Sequence, residues 1–351
     1  MKMNIIKRGI FICGAICMMQ IFTSSKIMEA AEYSVSDTIY ANTIINDTYQ
    51  IQSIKIQSEQ NDLLILVNES YMTKNDKEYR VIAEKRINSS GKITDYIDKS
   101  YRSSDNYIFT SKKNVLYVAN TAGNRINISS TDKKNHPKRT IINCRKDNAI
   151  NKKIKQVDIC DILEKNKKIY CVIQTFTKDW KYHYYIKTYD VNKKKWINSV
   201  KLKGDYIKYE SGNLYTNNNK KIFKYSIGGK LKNEYTLPLG DTMIGTKMDS
   251  EGKYCSYVQF TGCDIKNGKI YYCNKNGIYQ CDTKHDEFNI IYNPENDPVF
   301  ADDSSKTDSD KYGLYSMKVM NNGKIYMVLY NEEDKECGGI GFSCVKVYAP
   351  N

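Results

Sequence analysis

The sequence predicts an all-β fold, a six-bladed β-propeller of four-stranded antiparallel blades, and three observations carry that expectation. The first is a hairpin phrase, Asp264 to Asp282, in which Asn267-Gly268 separates two runs of strand-forming residues and Asn274 to Gly277 separates the second run from a third. Asn-Gly in this setting favours a type I′ turn, because both central residues need positive φ. The second is recurrence. Short β-branched and aromatic runs centred on Ile65, Tyr117, Tyr170, Tyr215, Tyr271 and Tyr326 return at intervals of about 50 residues, the spacing of propeller blades with about four strands each. The third is composition. The chain has 30 tyrosines but only 5 prolines, and Tyr alternating with Ile and Val suits half-buried strands better than helices.

Residues 1–31 are expected to form a signal peptide rather than part of the fold. Lys2, Lys7 and Arg8 make a basic start, Gly9 to Phe22 is an apolar run too short to span a bilayer, and Ala30-Ala31 follow. An uncleaved N-terminal anchor is the competing reading. No later segment is long and apolar enough to cross a membrane as a helix, so the mature chain is expected to be secreted or held at the cell surface.

Residues 32–351 are then one propeller domain with blades at about 51–100, 101–150, 151–203, 204–240, 250–295 and 311–351. The first blade reads as Ile51 to Gln57, Leu63 to Val67, Tyr79 to Ile87 and Lys92 to Ile97, with Ser89-Ser90-Gly91 as a turn. The second reads as Tyr107 to Ser111, Val115 to Ala119, Arg125 to Ser129 and Thr140 to Cys144. The third runs over Val157 to Leu163, Ile169 to Phe176, Tyr184 to Val191 and Trp196 to Leu202, and the fourth over Tyr206 to Tyr209, Asn213 to Thr216, Lys221 to Ile227 and Asn233 to Leu237. In the fifth blade a single leading strand is expected from Tyr254 to Ile265, and Phe288 to Tyr292 closes it. The sixth has only Tyr315 to Met320, Ile325 to Tyr330 and Cys344 to Tyr348, one strand short. The segment 33–50, with Thr38-Ile39-Tyr40 and Thr43-Ile44-Ile45, is expected to supply the missing outer strand and close the ring.

The phrase Gly268, Ile270, Tyr271, Tyr272, Asn274, Gly277, Ile278, Tyr279 and Asp282, with echoes at Gly323 to Tyr326 and at Lys168 to Tyr170 with Tyr189-Asp190, resembles the six-bladed propellers of the YWTD, low-density-lipoprotein-receptor-like type. It is most similar to uncharacterised secreted bacterial propellers. The literal YWTD tetrad is absent. The resemblance implies binding more often than catalysis and assigns no functional residues.

The formal net charge of +14 is concentrated in the first two thirds of the chain, and residues 240–351 are acidic in balance. Such asymmetry suits an anionic surface, although lysines at turns also serve simply as solvating groups. Nucleic acid is not an expected partner, since no groove-reading motif is present. The three histidines, His136, His183 and His285, lie in three different blades and outside any H-E-x-x-H spacing. No G-x-S-x-G elbow is present. These absences favour a binding module over an enzyme, with no cofactor required.

Two loops stand out. Thr177 to His183 links the second and third strands of the third blade, and its Asp179, Trp180 and Tyr182 are the candidate ligand-binding residues, an aromatic and polar mix suited to a sugar ring or a peptide. The reading against it folds Trp180 back as packing. Pro294 to Lys311 carries Glu295, Asp297, Asp302, Asp303, Asp308 and Asp310. Asp302, Asp303, Asp308 and Asp310 are candidate metal ligands for Ca²⁺, which takes six to eight oxygens, although the ordered spacing of a calcium loop is missing. A solvated acidic loop is the alternative.

The cysteines fit no zinc or haem spacing. Cys337 with Cys344, and Cys160 with Cys171 across a hairpin turning at Lys165-Asn166, are disulfide candidates; Cys144, Cys255 and Cys281 read as small buried hydrophobes. The expected function is therefore a secreted, non-catalytic module that recognises a protein, peptide or glycan on one rim. The alternatives are a propeller hydrolase or lyase with a divalent metal in the channel, and an architectural subunit of an envelope assembly.

Overall fold

The computed structural model of the chain describes residues 33–40, 50–72, 78–98, 107–112, 115–120, 125–132, 139–145, 154–177, 181–240, 243–245, 257–294, 297, 299, 312–330 and 344–351. They form an all-β propeller of four-stranded antiparallel blades. One sheet comprises β2 (Gln50–Glu59), β3 (Asp62–Met72), β4 (Glu78–Ile87) and β5 (Ile93–Asp98), and the next comprises β6 (Tyr107–Lys112), β7 (Val115–Asn120), β8 (Arg125–Asp132) and β9 (Arg139–Arg145). Then come β10 (Ile154–Lys165), β11 (Lys168–Thr177), β12 (Tyr182–Asp190) and β13 (Lys195–Lys201), followed by β14 (Asp205–Glu210), β15 (Asn213–Asn217), β16 (Lys221–Ser226) and β17 (Leu231–Thr236). After a two-stranded pair, β18 (Met243–Gly245) with β19 (Tyr257–Gln259), the chain forms β20 (Gly262–Lys266), β21 (Lys269–Asn274), β22 (Gly277–Asp282) and β23 (Glu287–Tyr292). The last sheet holds β24 (Gly313–Val319), β25 (Ile325–Tyr330) and β26 (Cys344–Pro350), with β1 (Tyr33–Tyr40) as its outer strand. Of these six four-stranded sheets, the one over residues 107–145 is described by its strands and their pairing, the other five also by side chains.

Local chemistry sets the turns. Asn267 and Gly268 take φ of 51° and 76°, so β20 and β21 meet through the turn that Asn-Gly favours. Asn166 and Lys167 do the same between β10 and β11, at 52° and 59°, one residue beyond the turn expected at Lys165-Asn166. At the β4–β5 turn the Asn88 side-chain oxygen accepts from the backbone N–H groups of Ser90 and Lys92, and Gly91 supplies the positive φ.

The expected single strand from Tyr254 to Ile265 is corrected: β19 pairs with β18, and β20 starts afresh in the blade. Gly262 opens β20, and a Cβ there would lie 2.5 Å from Leu314 Cδ2 and 3.0 Å from Met317 Cβ, so the glycine eases the close approach of β20 to β24.

The core lies between sheets rather than within them. Tyr215, Tyr235 and Tyr272 pack with Ile222, Ile265 and Ile270 where β14–β17 meets β20–β23. Tyr326 packs with Leu63, Ile65, Val67 and Val345 where the last sheet meets the first. The tyrosines that mark the repeat at Tyr215, Tyr271 and Tyr326 are therefore core residues, each contributing about 1.5–3 kcal/mol by burial of its apolar body.

Neighbouring sheets touch in turn: β2 with β6, β6 with β10, β12 with β14, β14 with β20, β20 with β24, and β24 back with β2. At the last junction the backbone N–H of Asn321 donates to the Gln60 carbonyl and that of Asn322 to the Asn61 side-chain oxygen, both at 2.8 Å.

β1 pairs with β26 from Tyr33↔Pro350 to Tyr40↔Cys344, with one bulge. Most of β1 is exposed, but Tyr33 is buried and its hydroxyl donates to the Gly323 carbonyl at 3.1 Å. The strand thus covers an edge whose Val345 and Val347 are core residues. Thr43 to Ile45 lie outside the described residues.

Candidate functional site

Strands from four of the sheets deliver a cluster of charged side chains to one cavity. Lys55 and Ser58 come from β2, Asp161 from β10, Tyr206, Lys208 and Tyr209 from β14, and Lys318 from β24. Together they line a cavity of about 360 Å³. Asp264 of β20, fully buried, accepts from Lys208 Nζ at 2.9 Å and from the Val319 N–H at 2.7 Å. Lys208 Nζ also donates to the Ile265 carbonyl at 3.0 Å and reaches Ser58 Oγ at 3.4 Å.

Asp161 accepts from the Tyr206 hydroxyl at 2.5 Å and from the Ile162 N–H at 2.7 Å. Burial, then the Asp161 charge, pushes the Tyr206 hydroxyl well above its usual range, so it stays a donor. Lys55 Nζ donates to the Cys160 carbonyl. Glu59, at the edge of the cavity, is held by Arg86, which also binds Asp62 at 2.7 Å.

Each channel carboxylate is therefore engaged by donors, and lysines rather than converging carboxylates face the cavity. Among the described residues no group of three His, Cys, Asp or Glu is placed to hold a metal ion. This arrangement does not support the expected alternative of a divalent metal in the channel.

A second cleft, about 380 Å³, lies where the start of β12 meets the β13–β14 connection. It is lined by Tyr182, His183 and Tyr184 and by residues Lys201 through Asp205. Tyr182 is 58% exposed, yet its ring rests on Phe176 with centroids 4.9 Å apart. An exposed aromatic held by a partner presents area to a ligand at little entropic cost. The Gln174 amide donates to the Tyr184 hydroxyl at 2.5 Å, and burial followed by the Asp205 charge raises that hydroxyl's pKa. Burial raises the Asp205 carboxyl as well. Lys203 is occupied by Glu234 at 2.8 Å.

Of the residues expected to bind ligand, Tyr182 lines this cleft, while Asp179 and Trp180 lie outside the described residues. His183 lies in β12 and His285 just after β22, on separate sheets, and His136 is outside the described residues. Asp302, Asp303, Asp308 and Asp310 are also outside them.

Asp297, counted at first with the same acidic loop, has a different role. Its carboxylate is buried and accepts from Lys346 Nζ, from the Tyr292 and Tyr348 hydroxyls at 2.9 Å each, and from the Val299 N–H at 3.1 Å. Nothing remains on it for a metal. The sequence offered no sign of this, because Lys346 and Tyr348 reach it from β26, about 50 residues further along the chain.

Cys160 and Cys171 do not face each other. Cys171 is opposite Ile162, and Cys160 falls in a bulge between Ile159 and Asp161. Cys160 packs beside Val172, while Cys171, next along β11, points to the other face, so their Cβ vectors diverge. Cys344 is buried in β26 and Cys337 lies outside the described residues. Cys281 is fully buried. Among the described residues no helix is long and apolar enough to cross a membrane.

No protein-family model matches this chain, and no curated protein matches it. Solved structures that match include a subtype N10 neuraminidase-like protein of A/little yellow-shouldered bat/Guatemala/060/2010 (TM-score 0.42, 8% identity, covering 90% of this chain and 100% of that one). The β-propeller domain of the Trilobed protease from Pyrococcus furiosus matches with a TM-score of 0.36 and 10% identity, over 81% of this chain and 95% of that one. The Pyrococcus horikoshii acylaminoacyl peptidase matches with a TM-score of 0.37 and 10% identity over 81% of this chain. The match spans about half of that peptidase, 51% of its length. Likeness at this level carries no assignment of activity or ligand, and the YWTD type is not shown by any of these comparisons.

Proposed function

We propose that the chain is a non-catalytic binding module, exported to the cell surface or beyond, that engages a glycan or peptide at the rim cleft beside Tyr182. The observation that carries this reading is the pairing of an exposed, Phe176-backed tyrosine with a polar cleft between the start of β12 and the β13–β14 connection. Propellers hold loops rigidly at their rims, and binding residues concentrate on loops carried by such scaffolds. The proposal includes closure of the six sheets as a ring of six blades, supported by the contact of each sheet with the next. Export is supported by the basic and apolar pattern of residues 1–22.

The test is binding of the purified chain to immobilised glycans and to a peptide library, with wild type and Tyr182→Ala compared. A ligand captured by the wild type and lost by at least about tenfold in Tyr182→Ala, about 1.4 kcal/mol, with Tm unchanged, is the expected result. Equal binding by the two proteins overturns the cleft as the site.

A further inference from the structure

Lys318 lines the same cavity as Lys55 and Lys208. Its amine has no hydrogen bond and no ion pair among the described residues. Burial pulls its pKa down most; Asp264 is the strongest charge acting against that, Lys208 adds to the lowering, Cys263 opposes it and Lys55 adds the least. Lys266, at the end of β20 in the neighbouring sheet, is also lowered, first by burial and then by Lys208. Asp264 cannot neutralise Lys318 fully, since it already holds Lys208 and the Val319 N–H. Asp161 is held by Tyr206 and Glu59 by Arg86. A desolvated ammonium facing a cavity beside two other lysines costs free energy that an anion entering the cavity would remove.

We propose that the channel cavity is a binding site for a small oxyanion, a carboxylate or phosphate group, with Lys318 Nζ as its principal donor and Lys55 and Lys208 as the flanking positive field. A lysine ammonium offers three donors without a fixed plane, so it accepts either head group as a point charge. Ser58, Tyr206 and Tyr209 supply polar lining in the same cavity. This site is built from the inner strands and does not depend on the rim cleft.

The experiment uses the full chain with inorganic phosphate and, separately, acetate as probes, read by calorimetric titration and by Tm, with chloride at equal ionic strength as the control. Phosphate stabilises proteins generally by exclusion from their surfaces, so the decisive quantity is the difference between wild type and Lys318→Met. Wild type is expected to bind one phosphate per chain and to gain about 5 °C at a hundredfold excess over Kd. Lys318→Met is expected to keep its fold, melt no lower than wild type without anion, and lose the titration signal. Lys318→Arg, which keeps the charge, is expected to retain binding within about tenfold. If Lys318→Met does not fold, loss of phosphate binding in Lys318→Gln serves as the same test. A titration with equal affinity in wild type and Lys318→Met, the absence of any titration in wild type, or saturable Ca²⁺ binding abolished by Asp161→Asn would each overturn the proposal.

Discussion

Replacing Asp297 by alanine removes the hub that joins the segment after β23 to the last blade. The Asp297 side chain is 2% exposed and that of Lys346 11%. The substitution therefore leaves the lysine charge buried and two tyrosine hydroxyls, of Tyr292 and Tyr348, without their acceptor. Breaking one side of a buried ion pair costs about 3–5 kcal/mol. For a domain of this size about 2 °C of Tm accompanies each kcal/mol, so Tm should fall by about 6–10 °C.

Thermal unfolding followed by circular dichroism measures this. Adding Lys346→Met to the alanine variant removes the stranded charge and should recover at least about 1 kcal/mol. The pH dependence follows from the same geometry. Burial alone would raise the Asp297 pKa, but the Lys346 ammonium and the hydrogen bonds from Val299 N–H and Tyr292 outweigh it and hold the value below the ordinary 3.8. A depressed carboxyl contributes stability above its unfolded value and loses it as pH falls through the folded one. The gap between wild type and Asp297→Ala should therefore be full at pH 7 and shrink below pH ~4. A variant that melts within 1 °C of wild type at pH 7, or a gap that widens in acid, would refute this account of the hub.

Two further outcomes test the scaffold. Deleting residues 33–40 strips β1 from β26, exposes the edge at Val345 and Val347, and removes buried Tyr33; it should cost about 5 kcal/mol or more and lower Tm by about 10 °C or more, as read by scanning calorimetry. Gly204→Ala should destabilise by about 3 kcal/mol in urea unfolding, because φ there is +72° and a Cβ would lie 2.4 Å from the Asn217 carbonyl oxygen.

Strands and turns were legible because their causes are local. Asn267-Gly268 needs only its own backbone preference to turn the chain, and β-branched and aromatic runs form strands wherever both edges find partners. The missing strand of the last blade was readable for a related reason: three strands at the C-terminus and a strand-like segment at the N-terminus complete one sheet, as β1 and β26 do. Strand continuity was less readable. Tyr254 to Ile265 has the residues of one strand, yet β19 finds β18 and leaves the blade to β20.

Tyr182 of the rim cleft was legible as an aromatic at the end of a loop, but the channel cavity and the Asp297 hub were not, because each is assembled from distant parts of the chain. Lys208, Asp264 and Lys318 are ordinary strand residues in sequence, and only the convergence of inner strands on one cavity brings their charges together. Asp297 was grouped with its acidic neighbours because sequence proximity is all that a sequence displays. Its carboxylate is instead bound by Lys346 and Tyr348, about 50 residues away on β26. The chain alone determined repeat, turn and strand, whose energetics act over a few bonds. The tertiary structure decided which charges meet out of water, where low dielectric makes each unpaired ammonium or carboxylate costly.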